Sequence, residues 1–403
     1  MEALQQITSP ELGDIFREYG QKYIGEHKPS AHEIRIIRLL SKCRTGELGS
    51  HLMQCNNCGH IEICHNSCRN RHCPTCQYKD KEQWFDARKK ELLQVGYFHI
   101  VFTIPSQLND LTLQNKEIMY NILFKAARES LFQLARDPKH LGALTGAIAV
   151  LHTWGQNLME HPHLHFMVPA GGLSRGGQHW IHSNPHYLFP VQVLSSLFRG
   201  KFCAFLKEAF LKDQLRFYGK IKSLQSKSGF NKLLSTLYGK DWVVFAKKPF
   251  HRPELVLEYI SRYINRVALS NRKIIALKND RVTILWKDYR DNKCKRMTLP
   301  VEEFIRRFLL HVLPKGLCKI RYYGILANRN RKENVLCCKD ILDRENSLQR
   351  EEEQQDGITR KENAADIWDE LLSIILAKKI GNCPKCKKGQ MVFYGLMKNN
   401  STA

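Results

Sequence analysis

The sequence predicts an α+β protein, in which a cysteine-rich module precedes an antiparallel sheet backed by helices. Two observations predict it. CxxC pairs and histidines crowd residues 46–82, which is the pattern of a metal-stabilised module. Further along, apolar runs of strand length alternate with one long segment of helical period. The 403 residues are enough for two or three domains with a sizeable core.

We divide the chain into four predicted parts. They are a helical segment at residues 1–45, a zinc-binding module at 46–82, an α+β domain at 95–335 with a helical insertion at about 190–245, and an acidic linker with a CxxC tail at 336–403. The helical insertion is basic, and its composition suits either a DNA-facing surface or a solvated bundle.

The chain is strongly basic, with 63 Lys and Arg against 39 Asp and Glu and a formal charge of +24. The stretch 341–370 is acidic, so the basic surplus belongs to the other parts of the chain. A surplus of this size favours nucleic acid as a partner, because binding releases the condensed counterions of a polyphosphate.

The first residues lack the basic and then apolar pattern of a secretory signal, and no apolar run reaches the roughly 18 residues of a membrane span. We therefore expect a cytoplasmic, nucleoid-associated protein without a membrane partner. The 14 cysteines occur largely in CxxC pairs beside histidines, which indicates metal binding rather than disulfides.

Two CxxC pairs separated by fourteen residues predict a structural zinc ion. The predicted ligands are Cys55, Cys58, Cys73 and Cys76. A second zinc site is left open, and its candidate ligands are His51, His60, Cys68 and His72. Near the other end of the chain, Cys383-Pro384-Lys385-Cys386 is half a metal site, which Cys337-Cys338 could complete.

Strands are predicted at residues 97–105 and 147–153, with a long helix at about 108–135 between them. The next strand contains His161-Pro162-His163-Leu164-His165-Phe166, whose alternation places the histidines on one face and the apolar residues on the other. Imidazole is a common metal ligand, so we predict that His163 and His165 bind a divalent cation. The alternative is a half-buried strand with incidental histidines.

Residues 253–266 are predicted to form a helix that begins at Pro253. Tyr259 and Tyr263 are four residues apart, so their phenols lie on one face, beside Arg262 and Arg266. A tyrosine pair with this spacing is also a common packing feature. Residues 319–332 interleave cations with aromatic rings, which suits phosphate contacts and base stacking. The DNA-binding candidates there are Arg321, Tyr322, Tyr323 and Arg329.

The sequence resembles the rolling-circle HUH transposases with two tyrosines, the insertion sequence 91 family. The likeness covers roughly residues 45 to 335. It is based on five motifs in order, which are the cysteine module, Phe102-Thr103-Ile104-Pro105, His163-Leu164-His165, Tyr259 with Tyr263, and Arg321-Tyr322-Tyr323-Gly324.

The resemblance implies an HUH endonuclease domain after a zinc-binding domain that holds one or two structural Zn²⁺ ions. It also implies Mg²⁺ or Mn²⁺ at His163 and His165, and Tyr259 and Tyr263 as nucleophiles. A hard cation needs a third ligand, for which Asn265 and Glu258 are candidates.

The function that the resemblance implies is transposition by rolling-circle single-strand cleavage and rejoining, through a 5′-phosphotyrosine. The expected partner is DNA, namely single-stranded element ends with hairpin or duplex flanks. Two alternatives remain at this point. One is a rolling-circle replication initiator or relaxase with the same chemistry, and the other is a non-enzymatic, zinc-dependent DNA-binding protein.

Overall fold

The computed structural model describes residues 9–77, 88, 90–250, 268–288, 291–355 and 382–397. Contacts group these residues into two compact units. The sheet unit is built from the described residues within Gln77–Glu345, and the cysteine unit from those within Glu11–Cys76 and Asn346–Ala403. The N-terminal helices, the cysteine-rich segment and the C-terminal tail, which the sequence divides into three parts, therefore belong to one unit.

Eight α-helices lie within the described residues. They are α1 (Leu12–His27), α2 (Ala31–Ser41), α3 (Asn109–Gln114), α4 (Lys116–Arg136), α5 (Val191–Leu211), α6 (Lys227–Tyr238), α7 (Val301–Leu310) and α8 (Arg331–Gln355). None of these helices is both long and apolar enough to cross a bilayer.

Thirteen strands lie in the same described part of the chain. They are β1 (Ser50–Cys55), β2 (Ile61–His65), β3 (Tyr97–Thr103), β4 (Gly146–Trp154), β5 (Glu160–Pro169), β6 (Gly171–Leu173), β7 (Trp180–His182), β8 (Val244–Phe250), β9 (Ile274–Lys278), β10 (Arg281–Asp288), β11 (Lys293–Pro300), β12 (Ile320–Gly324) and β13 (Met391–Leu396).

Five antiparallel strands form the central sheet of the sheet unit, in the order β12-β4-β5-β3-β8. The three strands predicted from the sequence, β3, β4 and β5, lie at its centre. The predicted α+β fold with an antiparallel sheet and helices is confirmed. The predicted helix at 108–135 divides into α3 and α4 at Asn115, whose side chain donates hydrogen bonds to the carbonyls of Leu111 and Arg216.

One face of the central sheet is buried against helices. Leu164 and Phe166 of β5 are fully buried on this face, as the alternation predicted. The ring of Phe102 meets the rings of Phe166 and Phe198 edge to face, at centroid separations of 5.2 and 5.1 Å. Such pairs add to the free energy gained from burial alone.

Helices α5 and α6 contribute to this same core. Phe198 and Phe202 of α5 and Phe230 of α6 are almost fully buried in it. The predicted insertion at about 190–245 is therefore an integral layer of the sheet unit, because its apolar stripe supplies core side chains. Its lysines and arginines occupy the remaining faces.

The second face of the central sheet is divided. At one end, Tyr97, Ile148 and Met167 form a smaller apolar cluster with Val335 and Cys338 of α8. The other end carries the histidines of β3, β4 and β5. Helices therefore pack on both faces of the central sheet, since α8 covers part of the second face.

A three-stranded sheet, β11-β10-β9, lies beside the histidine end. Its first hairpin turns at Asn279 and Asp280, whose φ values of 49° and 54° suit a tight turn of the I′ kind. This sheet places the end of β10 against the site described below.

The cysteine unit begins with two packed helices. Ser30 caps α2, because its hydroxyl accepts the amide N–H of Glu33 while the Glu33 carboxylate accepts the Ser30 amide N–H. Ile15 and Phe16 of α1 are buried, as is Ile37 of α2. The unit also contains a three-stranded sheet in the order β13-β1-β2, which pairs a C-terminal strand with an N-terminal hairpin.

We expect Phe166→Ala to lower the free energy of unfolding by about 3–5 kcal/mol, because it leaves a cavity in the centre of the core. Phe245→Ala is the matched control, since Phe245 lies in the edge strand β8 and its side chain is 55% exposed. We expect that control to change the free energy by less than about 1 kcal/mol. Denaturant unfolding of both variants measures the difference, and equal losses would contradict this packing.

Candidate active site

Three histidines converge at the open end of the second face. They are His152 of β4 and His163 and His165 of β5, and one ring nitrogen from each lies within 4.8 Å of the others. His152 pairs directly opposite His163 in the β4–β5 register, and His165 lies two residues further along the same face. These three side chains are called the histidine trio.

Hydrogen bonds orient two members of the trio. Nδ1 of His163 donates to the carbonyl oxygen of His161 at 2.6 Å, so Nε2 would be its ligand atom. Nδ1 of His165 lies 2.8 Å from Nε2 of His99, in the neighbouring strand β3. If His165 donates in that bond, its Nε2 carries the lone pair that a metal needs, which is the usual arrangement of metal-bound imidazoles.

Burial keeps the imidazoles of His163 and of His99 neutral. It lowers the pKa of His163 to about 4 and, with help from the charge of Lys247, lowers the pKa of His99 to about 4. Only a neutral ring has a lone pair for a cation, so His163 is in the binding form at neutral pH.

The trio lies on the wall of a cavity of about 670 Å³. The end of β10 forms another wall, with Trp286 and the buried carboxylate of Asp288. Trp154 also lines it and stacks on His152, at a centroid separation of 4.5 Å. A cavity of this size with aromatic walls can admit a nucleotide-sized part of a chain beside the imidazoles.

The donor set of the trio suits a transition metal. Imidazole nitrogen is a softer donor than the carboxylate and water oxygens that Mg²⁺ prefers, so Mn²⁺ fits the trio better than Mg²⁺. Asp288 is a lining carboxylate that could add oxygen, but it accepts a hydrogen bond from Lys295 at 2.8 Å. Three imidazoles would leave the remaining coordination positions to water and substrate.

A buried polar cluster lies at the start of β5. The hydroxyl of Tyr120 donates to Glu160 at 3.2 Å, and the Thr153 hydroxyl lies 3.1 Å from Nδ1 of His311. Nε2 of His311 donates to the carbonyl of Leu158 at 3.0 Å, and its Nδ1 is 3.7 Å from the Glu160 carboxyl. Burial raises the pKa of Glu160 to about 7, so this carboxyl takes up a proton near neutrality.

Eight cysteines of the cysteine unit form two groups of four. The first group is Cys43, Cys68, Cys73 and Cys76, and the second is Cys55, Cys58, Cys383 and Cys386. Neighbouring sulfurs in the first group are 3.6 to 3.7 Å apart. That spacing fits one tetrahedral zinc ion, since Zn–S bonds of about 2.3 Å put thiolates about 3.8 Å from one another.

The thiols of the first group share protons unequally. Hydrogen bonds with neighbouring thiols lower the pKa of Cys76, and the bond with Cys43 has the largest effect. A hydrogen bond with Cys68 is the main cause that lowers the pKa of Cys43 to about 7. The same crowding raises the pKa of Cys68. Four sulfurs this close cannot all be anionic without a cation, which is why such clusters bind metal.

Two family models match the chain. One is described as "Transposase zinc-binding domain" and matches residues 15–104, and the other is described as "Putative transposase" and matches residues 146–334. The "Putative transposase y4qJ" of Sinorhizobium fredii (strain NBRC 101917 / NGR234) is 44% identical over 387 residues, which are 96% of this chain and 95% of the relative. The "Transposase for insertion sequence element IS801" of Pseudomonas savastanoi pv. phaseolicola is 28% identical over 305 residues, covering 74% of this chain and 71% of the relative.

The chain belongs to the transposases of the insertion sequence 91 family. The family predicted from the sequence is therefore confirmed. DNA is the partner of a transposase, and the zinc-binding domain of this one contains the whole first cysteine group. The transposase match contains the whole histidine trio. No solved structure matches the chain.

The predicted grouping of the transposase cysteines is wrong. Cys55 and Cys58 do not share a site with Cys73 and Cys76 but lie with the two cysteines of the C-terminal tail. The reason is the pairing of β13 with β1, which brings the tail to the β1–β2 hairpin. The partner proposed for the tail, Cys337-Cys338, is also wrong, since Cys338 is buried in the apolar cluster under α8.

The candidate ligand set of the second zinc site is wrong too. Cys68 belongs to the first cysteine group, and Nδ1 of His51 lies 2.9 Å from the side-chain oxygen of Asn66. Among the described residues, His60 and His72 are in no group that could hold a metal ion. The ligand that the sequence missed is Cys43, a lone cysteine after α2 with no spacing signal.

The other residues that the sequence missed belong to the sheet unit. His152 and His99 lie in strands predicted from apolar character alone, and no local pattern distinguishes them. Glu160 does carry a signal, because it falls in phase with the buried residues Pro162 and Leu164. A carboxylate at such a position indicates a buried polar cluster.

The predicted DNA-contacting residues of β12 have protein partners. Arg321 lies over the ring of Phe124 at 3.9 Å, and Tyr322 lies between Arg331 and Arg88, at 4.8 and 5.7 Å. The ring of Tyr323 stacks on Phe166 at a centroid separation of 6.1 Å. Arg329 is exposed. Their contact with DNA stays a prediction.

Six predicted site residues lie outside the described part of the chain. They are the tyrosines Tyr259 and Tyr263, the arginines Arg262 and Arg266, and the candidate third ligands Glu258 and Asn265. Among the described residues, the third side chain that could bind the cation with His163 and His165 is His152.

We expect His152→Ala to weaken Mn²⁺ binding by more than about tenfold, because it removes one of three ligands. Protein that carries zinc at its cysteine groups alone is titrated with Mn²⁺, and electron paramagnetic resonance measures the affinity. His161→Ala is the control, since this histidine lies on the same strand but outside the trio. Equal affinities for the two variants would remove His152 from the site.

We expect Glu160→Gln to change how stability depends on pH. The raised pKa means that folding favours the protonated carboxyl, so its stabilisation is complete below about pH 4.5 and is lost as the pH rises through 7. Relative to wild type, the Gln variant should gain about 1–3 kcal/mol between pH 5 and pH 8. Denaturant unfolding at both values measures this gain, and the exposed Glu117→Gln should show none.

Proposed function

We propose that this transposase cuts and rejoins single-stranded DNA by a rolling-circle route, through a 5′-phosphotyrosine. The observation that carries the proposal is the histidine trio, three imidazoles that converge on one wall of an open cavity. A half-buried strand with incidental histidines would not bring a third imidazole from the adjacent strand to the same point.

The histidine trio would hold a divalent cation, best Mn²⁺. When bound, such a cation withdraws charge from a non-bridging phosphate oxygen and so lowers the barrier to attack. The protein must keep three ring nitrogens aimed at one point. The carbonyl of His161 and the ring of His99 do this for His163 and His165.

Tyr259 and Tyr263 are the proposed nucleophiles. The phenol oxygen attacks the scissile phosphorus and loses its proton, a tyrosine O–P bond forms, and the bond from phosphorus to the 3′ oxygen breaks. The leaving 3′ oxygen takes a proton and becomes a 3′-hydroxyl. The reverse attack by another 3′-hydroxyl rejoins strands without ATP, because the phosphodiester energy is kept in the phosphotyrosine.

The described neighbours of the tyrosine segment support this assignment. On one side, the chain reaches the segment from β8, which pairs with β3 beside the histidine strand. On the other side, Nζ of Lys273 donates to the side chain of Gln156 at 3.1 Å, and Gln156 lines the cavity. Both flanks of the segment therefore belong to the sheet unit that carries the trio.

The substrate proposed is the single-stranded end of the mobile element, with hairpin or duplex flanks bound elsewhere on the basic surface. The charge of +24 suits these contacts and also an association with the nucleoid. A replication initiator or relaxase would share the chemistry, but the named relatives are transposases. A non-enzymatic regulator would have no use for the trio.

We expect Tyr259→Phe with Tyr263→Phe to abolish the covalent adduct with single-stranded DNA that carries the element's ends, because no phenol oxygen is left to attack. Full-length protein is incubated with labelled DNA and Mn²⁺, and the adduct is scored on a denaturing gel and mapped by peptide sequencing.

The control for this experiment is Tyr187→Phe with Tyr238→Phe, which changes two exposed tyrosines of the sheet unit and should leave the adduct intact. An adduct that persists in the Tyr259 and Tyr263 variant would show that other residues are the nucleophiles. Cleavage that is insensitive to removal of divalent cations would exclude the role given to the trio.

A further inference from the structure

The second cysteine group is built from two turns at opposite ends of the chain. In the first turn, the amides of Asn57 and Cys58 each lie 3.4 Å from Sγ of Cys55 and donate to it. The Cys55 carbonyl accepts the N–H of Gly59 at 3.1 Å, and the Cys55 N–H donates to the carbonyl of His60 at 2.8 Å.

The second turn repeats this pattern. The amide of Cys386 donates to Sγ of Cys383 at 3.5 Å, and the amide of Gly389 donates to Sγ of Cys386 at 3.3 Å. The Cys383 carbonyl accepts the N–H of Lys387 at 2.9 Å, and the Cys383 N–H donates to the carbonyl of Gly389 at 2.7 Å. Amide donors aimed at sulfur stabilise thiolates, so both turns are built to carry negative charge.

The four sulfurs of the two turns meet. Sγ of Cys55 is 3.7 Å from Sγ of Cys386, and Sγ of Cys58 is 3.6 Å from Sγ of Cys383. All four lie within 4.8 Å of one another. Thiolates around one tetrahedral zinc ion are about 3.8 Å apart, so this separation leaves room for one ion at the centre.

Further hydrogen bonds and a close approach at Gly389 join the two turns. The amide of Asn56 donates to the carbonyl of Gln390 at 3.0 Å, and the Gln390 amide donates to the Asn56 side chain at 2.8 Å. At Gly389, a Cβ atom would lie 2.4 Å from Sγ of Cys55, so only glycine permits this approach.

We propose that Cys55, Cys58, Cys383 and Cys386 bind a second structural zinc ion, which fastens the C-terminal tail to the N-terminal zinc-binding domain. The family match for that domain ends at residue 104, so it does not include the tail cysteines. Four thiolates close the coordination sphere and leave no position for a substrate, so the ion is structural.

This site has a consequence for assembly. Cys58 and Cys383 are 325 residues apart in sequence, and most of the sequence that separates them belongs to the sheet unit. The β1–β2 hairpin therefore cannot complete its metal site until the tail has been synthesised. A zinc ion held by both turns closes a very long loop of the chain. The longer the closed loop, the more a cross-link lowers the conformational entropy of the unfolded chain.

The test is a zinc count on full-length protein. The background carries His163→Ala and His165→Ala, so that the histidine trio binds no zinc. We expect two ions per chain in this background, and one after either Cys55→Ser with Cys58→Ser or Cys383→Ser with Cys386→Ser. The combined quadruple variant should also retain one, because all four cysteines serve the same ion.

Cys294→Ser with Cys318→Ser is the matched control, since both cysteines are exposed and outside the two groups. It should keep two ions. A tail variant that keeps two ions, or a quadruple variant that loses more than either double variant, would overturn the proposal. These counts do not depend on DNA cleavage, so they are independent of the proposed function.

A second measurement avoids the serine variants, which could fold poorly. In the same background, cadmium-113 replaces zinc, and its magnetic resonance should show two signals of the four-sulfur type. Cys386→His should keep both ions and move one signal to the position of three sulfurs and one nitrogen. One four-sulfur signal in the parent, or no movement in the variant, would contradict a shared site.

Discussion

The register between β4 and β5 is the constraint on which the candidate active site depends. It sets His152 directly opposite His163, while the two-residue period of β5 brings His165 to the same face. Since the opposite face of these strands carries Leu164 and Phe166, the core fixes the register from behind. Packing on one side of the sheet therefore positions the chemistry on the other.

Patterns within single strands were predictable from sequence, because the side-chain period of a strand is local. This is why the histidine face and the apolar face of β5 were predicted correctly. His152 and His99 depend on which strands pair and in what register, which no local pattern records. The sequence consequently offers candidates for the third ligand only far along the chain, at Glu258 and Asn265 of the predicted helix.

The cysteines show the same limit more strongly. Spacing identified CxxC turns correctly, since a turn is a local structure. Spacing also favoured grouping the two nearest turns, whereas β13 pairs with β1 and brings a turn from the far end of the chain. Cys43 completes the first group as a single residue, so only the tertiary fold could assign it.

The turn between β4 and β5 has a consequence for how this site can vary. Arg307 of α7 donates to the carbonyl of Asn157, and His311 donates to the carbonyl of Leu158, so two side chains hold this turn at fixed points. Sliding β5 by one residue would exchange the two sides of the strand, sending imidazoles into the hydrocarbon interior and phenyl rings into the cavity. An insertion or deletion in this turn would therefore displace the trio from the cavity wall, even though the turn contributes no ligand itself.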